Sequence, residues 1–192
     1  MSQQPKVDKN NPWVTQSKQS IYDNPWIKVD EAKVLNPAGK SGIYGTVHFK
    51  ALAVGVVPLT SKMETYLVGQ YRYPVDEYSW EIPEGGCPLG TDPLDSAKRE
   101  LKEETGLLAK RWTRGLDRLW LSNSVCDESA VFFVAQDLEM GEAEPEDTED
   151  ITLWKLPLQE AYEMACQGKI RDILSVLSLI QTKAMLDRGE LT

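Results

Sequence analysis

The sequence has little of what several kinds of chemistry need. It holds one histidine, His48, which excludes a metal site built from several imidazoles. Its three cysteines, Cys87, Cys126 and Cys166, are odd in number and far apart. No C-x-x-C spacing occurs, so neither a disulfide framework nor a zinc site is expected. No stretch approaches the ~18 consecutive apolar residues of a membrane span, and the opening run MSQQPKVDKNNPW has no apolar core of the signal-peptide kind. The reading is a cytoplasmic protein with no membrane partner. Basic residues are also short: 21 Lys and Arg face 30 Asp and Glu, a net charge of -9. A protein that holds nucleic acid needs a clustered basic excess, so nucleic acid is not an expected partner. An acidic protein acting on an anionic phosphate compound would need divalent cations between the like charges.

What is present is a chain of 192 residues, 41% hydrophobic, long enough to bury a proper core as one catalytic domain with a short N-terminal elaboration. Residues 1 to about 20 are polar and read as a terminus without fixed structure. Residues 26–35 and 43–50 are β-rich runs joined by Asn36-Pro37-Ala38-Gly39, a dense set of turn formers, and predict a hairpin. Two more strands are expected at 52–59, apolar enough to be buried on both faces, and at 66–73. The clearest helix spans 94–105, with Asp92 at its N-cap, Pro93 at its first position and Gly106 just past its end. Strand-like runs follow at 111–121 and 129–138, then an acidic stretch at 142–150 and a short strand at 151–156. Helices are expected at 157–167, closed by Gly168, and at 170–187. This order of elements suggests a mixed sheet between helices.

Glu100, Glu103 and Glu104 fall at i, i+3 and i+4 of the clearest helix, so their carboxylates share one face. A row of glutamates on a helix is ordinarily a solvated face. Here the run Gly85-Gly86-Cys87-Pro88-Leu89-Gly90 leads, as a glycine-rich turn, into the same helix, and Arg99 precedes the first glutamate. With these residues the segment resembles the Nudix box, G-x5-E-x7-R-E-U-x-E-E-x-G-U with U apolar. Gly85, Arg99, Glu100, Leu101, Glu103, Glu104, Gly106 and Leu107 fall on the pattern. Thr91 stands where the pattern has a glutamate; Asp95, one helical turn before Arg99, is the expected substitute partner for that arginine. The resemblance implies that Glu100 and Glu104 ligate metal directly and Glu103 directly or through water. The backbone carbonyl of Glu84, or of Gly85, would add a ligand, and Arg99 would orient the carboxylates. Hard cations such as Mg2+ or Mn2+ take such oxygen donors and can make a bound water nucleophilic near neutral pH.

Gln70-Tyr71-Arg72-Tyr73 and the run from Trp80 to Gly86 are similar to segments of the ADP-ribose pyrophosphatase group, as is the layout of the C-terminal half; the likeness covers residues 43–185. It implies an α/β/α sandwich around a mixed, curved β-sheet, with residues 1–42 as an N-terminal hairpin extension and 43–192 as the catalytic domain. It further implies hydrolysis of the diphosphate bond of ADP-ribose or another nucleoside diphosphate sugar, giving a nucleoside monophosphate and a sugar phosphate. GDP-mannose, NADH or dinucleoside polyphosphates are alternative substrates, and a non-catalytic nucleotide sensor is the alternative of another class. In that group a glutamate of the acidic loop acts as catalytic base, which assigns the role to Glu149, with Glu146 as the alternative; a merely solvated loop is the plain reading. Glu128 is a further catalytic candidate. Arg72 is the natural phosphate contact, since a guanidinium binds phosphate oxygens in bidentate fashion, and Glu81 and Trp26 complete the substrate contacts. A homodimer through residues 20–50 is the expected assembly.

Overall fold

The computed structural model describes residues 9–141 and 150–191. They fall into two units, one running to Lys50 and including Ser124–Asp127, the other comprising Ala51–Asn123 and the residues from Glu128 onward.

In the first unit, β1 (Val14–Asp23), β2 (Ile27–Leu35) and β3 (Ser41–Phe49) form an antiparallel sheet in that order. The β2–β3 hairpin is the expected one. The Asn36 side chain accepts hydrogen bonds from the amides of Ala38 (3.0 Å) and Lys40 (2.9 Å), and Gly39 takes the left-handed conformation that closes the turn. Strand β1 corrects the sequence reading, which left residues 1 to about 20 without structure. All ten of its residues are exposed; its order comes from a ladder of hydrogen bonds to β2, which hydropathy does not report. Among the described residues the buried charge of this unit is Asp30, 2% exposed. Lys18 (2.7 Å), Lys28 (3.1 Å) and the His48 ring (3.3 Å) surround it, as a buried carboxylate requires. Segment 124–127 lies beside β3 through a parallel bridge between Val47 and Cys126. Asp127 accepts from the Phe49 amide (2.9 Å) and bonds the other His48 nitrogen (2.7 Å).

The second unit holds β4 (Ala51–Pro58), β5 (Glu64–Arg72), β6 (Glu77–Glu81), β7 (Glu84–Pro88), α1 (Pro93–Thr105), β8 (Leu107–Arg114), β9 (Leu119–Trp120), β10 (Ser129–Met140), β11 (Thr152–Pro157), α2 (Leu158–Cys166) and α3 (Ile173–Asp187). Its strands make two sheets: β7-β4-β10-β8, with β9 on β10, and β11-β5-β6. The β4–β10 pair is parallel and the others antiparallel. The two central strands alternate between cores. Val54, Val56, Val131, Phe133 and Ala135 pack with Ala97 and Leu101 of α1. Val57, Ala130, Phe132 and Val134 pack with Ala161 of α2 and Leu174 and Leu179 of α3. With a side-chain period of two, this puts α1 on one face of the sheet and α2 and α3 on the other. The arrangement is the expected α/β/α sandwich with a mixed sheet.

Two local readings differ. The run at 111–121 is two strands, because Gly115 ends the first: a side chain there would enter the Phe132 ring, and its amide donates to the Phe132 carbonyl (3.0 Å). The glycine-rich run 85–90, expected as a turn, is in its first part strand β7, which pairs with β4. Helix α1 behaves as expected. Asp92 accepts from the Leu94 amide (3.0 Å) and Gly106, at φ 70°, returns its amide to the Lys102 carbonyl (2.8 Å).

Candidate active site

Between β6, in one sheet, and β7, in the other, only Ile82 and Pro83 belong to no strand, and they and Glu84, the first residue of β7, are each tied to another element. The Ile82 amide donates to Ser175 Oγ on α3 (3.0 Å). The Pro83 carbonyl accepts from the Val56 amide on β4 (2.8 Å). The Glu84 amide donates to Glu104 Oε2 on α1 (3.0 Å). The connector is thereby fixed against both helical layers. Gly85 follows, and a side chain there would occupy the space of the Glu100 carboxylate. Glycine at this position lets backbone carbonyl and carboxylate approach each other.

Glu100 is 7% and Glu104 4% exposed, so the inner edge of the glutamate row is buried, unlike a solvated helix face. Arg99 turns back over it. Its Nη2 donates to the Gly86 carbonyl (2.9 Å) and to Glu100 Oε1 (2.5 Å), and its Nη1 to Glu103 Oε2 (2.7 Å). Burial works against its charge, but Glu100 and Glu103 outweigh that and hold its pKa above the usual value. The expected Asp95–Arg99 pair is a correction: Asp95 meets Lys98 (3.4 Å), because Arg99 is drawn to the Gly86 side. Thr91 serves the turn through its backbone, its amide donating to the Pro88 carbonyl (3.0 Å).

Arg72 and Glu81 are brought together. Arg72 Nε donates to both Glu81 oxygens (3.1 and 3.0 Å), and Nη2 reaches Glu81 Oε2 and, at 3.4 Å, Glu84 Oε1. The other Glu84 oxygen is buried without a hydrogen-bond partner among the described residues. Burial pushes the Glu84 carboxyl well above the usual range, with Asp172, Glu81 and Glu104 adding to the rise and Arg72 opposing it. Glu128 is also raised, by burial first and then by Asp172. Asp172 and the Glu84 side chain therefore belong to the electrostatics of the site, and sequence reasoning found neither in that role. Asp172 caps α3 by accepting from the Ser175 amide (2.7 Å), and one aspartate before a helix signals only a cap. Glu149 and its alternative Glu146 lie outside the described residues. Trp26 belongs to the first unit, between β1 and β2, and is 73% exposed.

The donor set suits a hard divalent cation. It consists of carboxylates of Glu84, Glu100, Glu103 and Glu104 and the backbone carbonyls of Glu84 and Gly85, all oxygen. The glycine cradle beside Glu100 and the unpartnered buried oxygen of Glu84 both fit such an ion. Among the described residues no three of these side chains already form a cage. Arg99 engages Glu100 and Glu103, supplying the positive charge that lets them stand together, while Glu104 holds the Glu84 amide.

The NUDIX domain model matches residues 49–173, and the model of the nucleoside diphosphate sugar hydrolase N-terminal domain matches residues 13–47. An ADP-ribose pyrophosphatase of Bacillus subtilis is 29% identical over 82% of this chain and 85% of its own length. A methanol dehydrogenase activator of Bacillus methanolicus is likewise 29% identical, over 84% and 87%. Among solved structures an ADP compounds hydrolase superposes with a TM-score of 0.83 at 20% identity, covering 96% of this chain and all of the other, a likeness of fold. With the Nudix model spanning more than half of its length and the box in place from Gly85 to Leu107, the chain belongs to the Nudix hydrolase family.

Proposed function

We propose that the protein hydrolyses the diphosphate bond of ADP-ribose or another nucleoside diphosphate sugar with the help of Mg2+ or Mn2+, releasing a nucleoside monophosphate and a sugar phosphate. The observation that carries this reading is the buried pair Glu100 and Glu104 on α1, set against the 82–85 connector by the Glu84 amide and the missing side chain of Gly85. The substrate class rests on the N-terminal module, on the pyrophosphatase relative and on the way Arg72 is held.

Glu100, Glu104 and Glu103, with the carbonyl of Glu84 or Gly85, would hold the cation. When bound, it polarises phosphoryl oxygens and lowers the pKa of water enough to supply a nucleophile. The chain's own residues do the rest. Arg99 keeps Glu100 and Glu103 in register. Glu81 grips Arg72 through Nε and Nη2, which pre-orients the guanidinium and reserves Nη1 for a phosphate oxygen. Glu149, or Glu146, is the proposed base, and Glu128 a second group able to move a proton. Trp26 is proposed to stack on the base of the substrate within a homodimer built through residues 20–50. The three cysteines are free and no helix of the described residues is long and apolar enough to cross a membrane, which supports the cytoplasmic reading.

The test is product formation from ADP-ribose, ADP-glucose, GDP-mannose, NADH and diadenosine polyphosphates, with Mg2+, with Mn2+ and with chelator, beside Glu104→Gln. Cation-dependent cleavage of a nucleotide sugar that Glu104→Gln abolishes is the expected result. Tight nucleotide binding without turnover on any compound would replace the hydrolase reading with a sensor.

A further inference from the structure

Ser175 is fully buried in the first turn of α3, and its hydroxyl is the acceptor for the Ile82 amide. That amide sits one residue after Glu81, the partner of Arg72, and two residues before Glu84, whose amide is tied to Glu104. Ile82 itself is fully buried, packed with Leu174 and Leu179 in the core beneath α3. With water excluded and β6 ended at Glu81, Ser175 provides the connector's hydrogen bond to α3. The backbone that carries it is fixed in turn, because the Ser175 amide donates to the Asp172 cap at 2.7 Å. The same helix offers a contrast. Ser178, also fully buried, has a hydroxyl with no hydrogen-bond partner among the described residues.

We infer that Ser175 is a positioning residue for the hydrolysis, holding the 82–85 connector so that the Glu84 and Gly85 carbonyls and the Arg72–Glu81 pair meet the α1 carboxylates in register. It touches no reacting atom. Its effect passes through the Ile82 amide, and small displacements of a site translate into large losses of rate. The inference rests on the proposed hydrolysis for its kinetic consequence and stands apart from it for its structural one.

The experiment compares the wild type with Ser175→Ala and Ser178→Ala by amide hydrogen exchange and by steady-state kinetics on the nucleotide sugar that the wild type cleaves. Ser175→Ala should raise exchange across 82–85 while the middle of α3 keeps its protection. It should also lower kcat roughly 10- to 100-fold, with KM for the nucleotide changed less than about threefold and more Mg2+ needed for half-maximal rate. Ser178→Ala, which removes a buried hydroxyl of the same helix, should match the wild type in both measurements. Should Ser175→Ala not fold, Ser175→Cys keeps the side chain's shape, slightly enlarged, and leaves only a weak acceptor; it should show the same effects to a smaller degree. Wild-type exchange in the connector of the Ser175 variant, or an equal loss of kcat in Ser178→Ala, would overturn the inference. If the wild type cleaves no nucleotide sugar, the proposed function fails, and the exchange comparison still decides whether Ser175 anchors the connector.

Discussion

Individual residues in this site are constrained by what their neighbours leave open. At Gly85 a methyl group would overlap the Glu100 carboxylate, so Gly85→Ala must push that carboxylate off its partners or move the connector. Gly85→Ala should therefore lower kcat by at least about tenfold with little change in melting temperature; a variant with wild-type kcat would show that the close approach is not needed. Asp172 acts at longer range. It raises the carboxyls of both Glu84 and Glu128, in each case after burial, the larger cause. A raised carboxyl stays protonated to higher pH, so a step that needs it ionised loses rate on the acid side sooner. Asp172→Asn removes the negative neighbour and lowers both pKa values. Asparagine is also a good N-cap, so α3 should persist. The acid limb of kcat/KM should then move to lower pH. An unmoved limb would mean that neither Glu84 nor Glu128 titrates in the rate-determining step.

Elements were legible in the sequence to the degree that their causes are local. The limits of α1 are set by Asp92, Pro93 and Gly106 within a single segment, and the structure keeps all three in those roles. Exposed caps of this kind contribute about 1 kcal/mol. Asp92→Ala should accordingly lower the melting temperature by roughly 2–4 °C and leave kcat at 25 °C near wild type, which a thermal scan and one rate measurement would check. Strands β1 and β7 were not legible as strands, because β1 owes its order to pairing with β2 and β7 to pairing with β4. The same division holds for the site. The glutamate row was legible because box spacing is a property of one helix. Ser175, Asp172 and the Glu84 side chain reach the site through the packing of α3 and the connector between two sheets, and no spacing along the chain encodes that. Arg72 and Glu81, nine positions apart, were both named from the sequence, but their mutual grip appears only when β5 and β6 pair.

At the scale of the whole molecule, the first unit leaves several large apolar side chains in the open. Ile21, Tyr22, Trp26 and Ile43 are each more than half exposed, and β1 lies at the edge of its sheet. Unpaired edges and exposed large apolar residues are what a partner chain covers, and residues 13–47 match a module named for nucleoside diphosphate sugar hydrolases. Sedimentation equilibrium at micromolar concentration should therefore give twice the 21.6 kDa of one chain. Ile43→Glu places a charge in the proposed contact, where an unpaired buried carboxylate is costly, and should shift the mass to that of the monomer. If Trp26 stacks on the base only within the dimer, the same variant should raise KM for the nucleotide sugar while kcat at saturation falls much less, since Glu100, Glu103 and Glu104 lie in the other unit. A wild type that sediments as a monomer would remove the assembly from the proposal. A dimer whose loss leaves KM unchanged would separate Trp26 from substrate binding and leave it a contact between subunits.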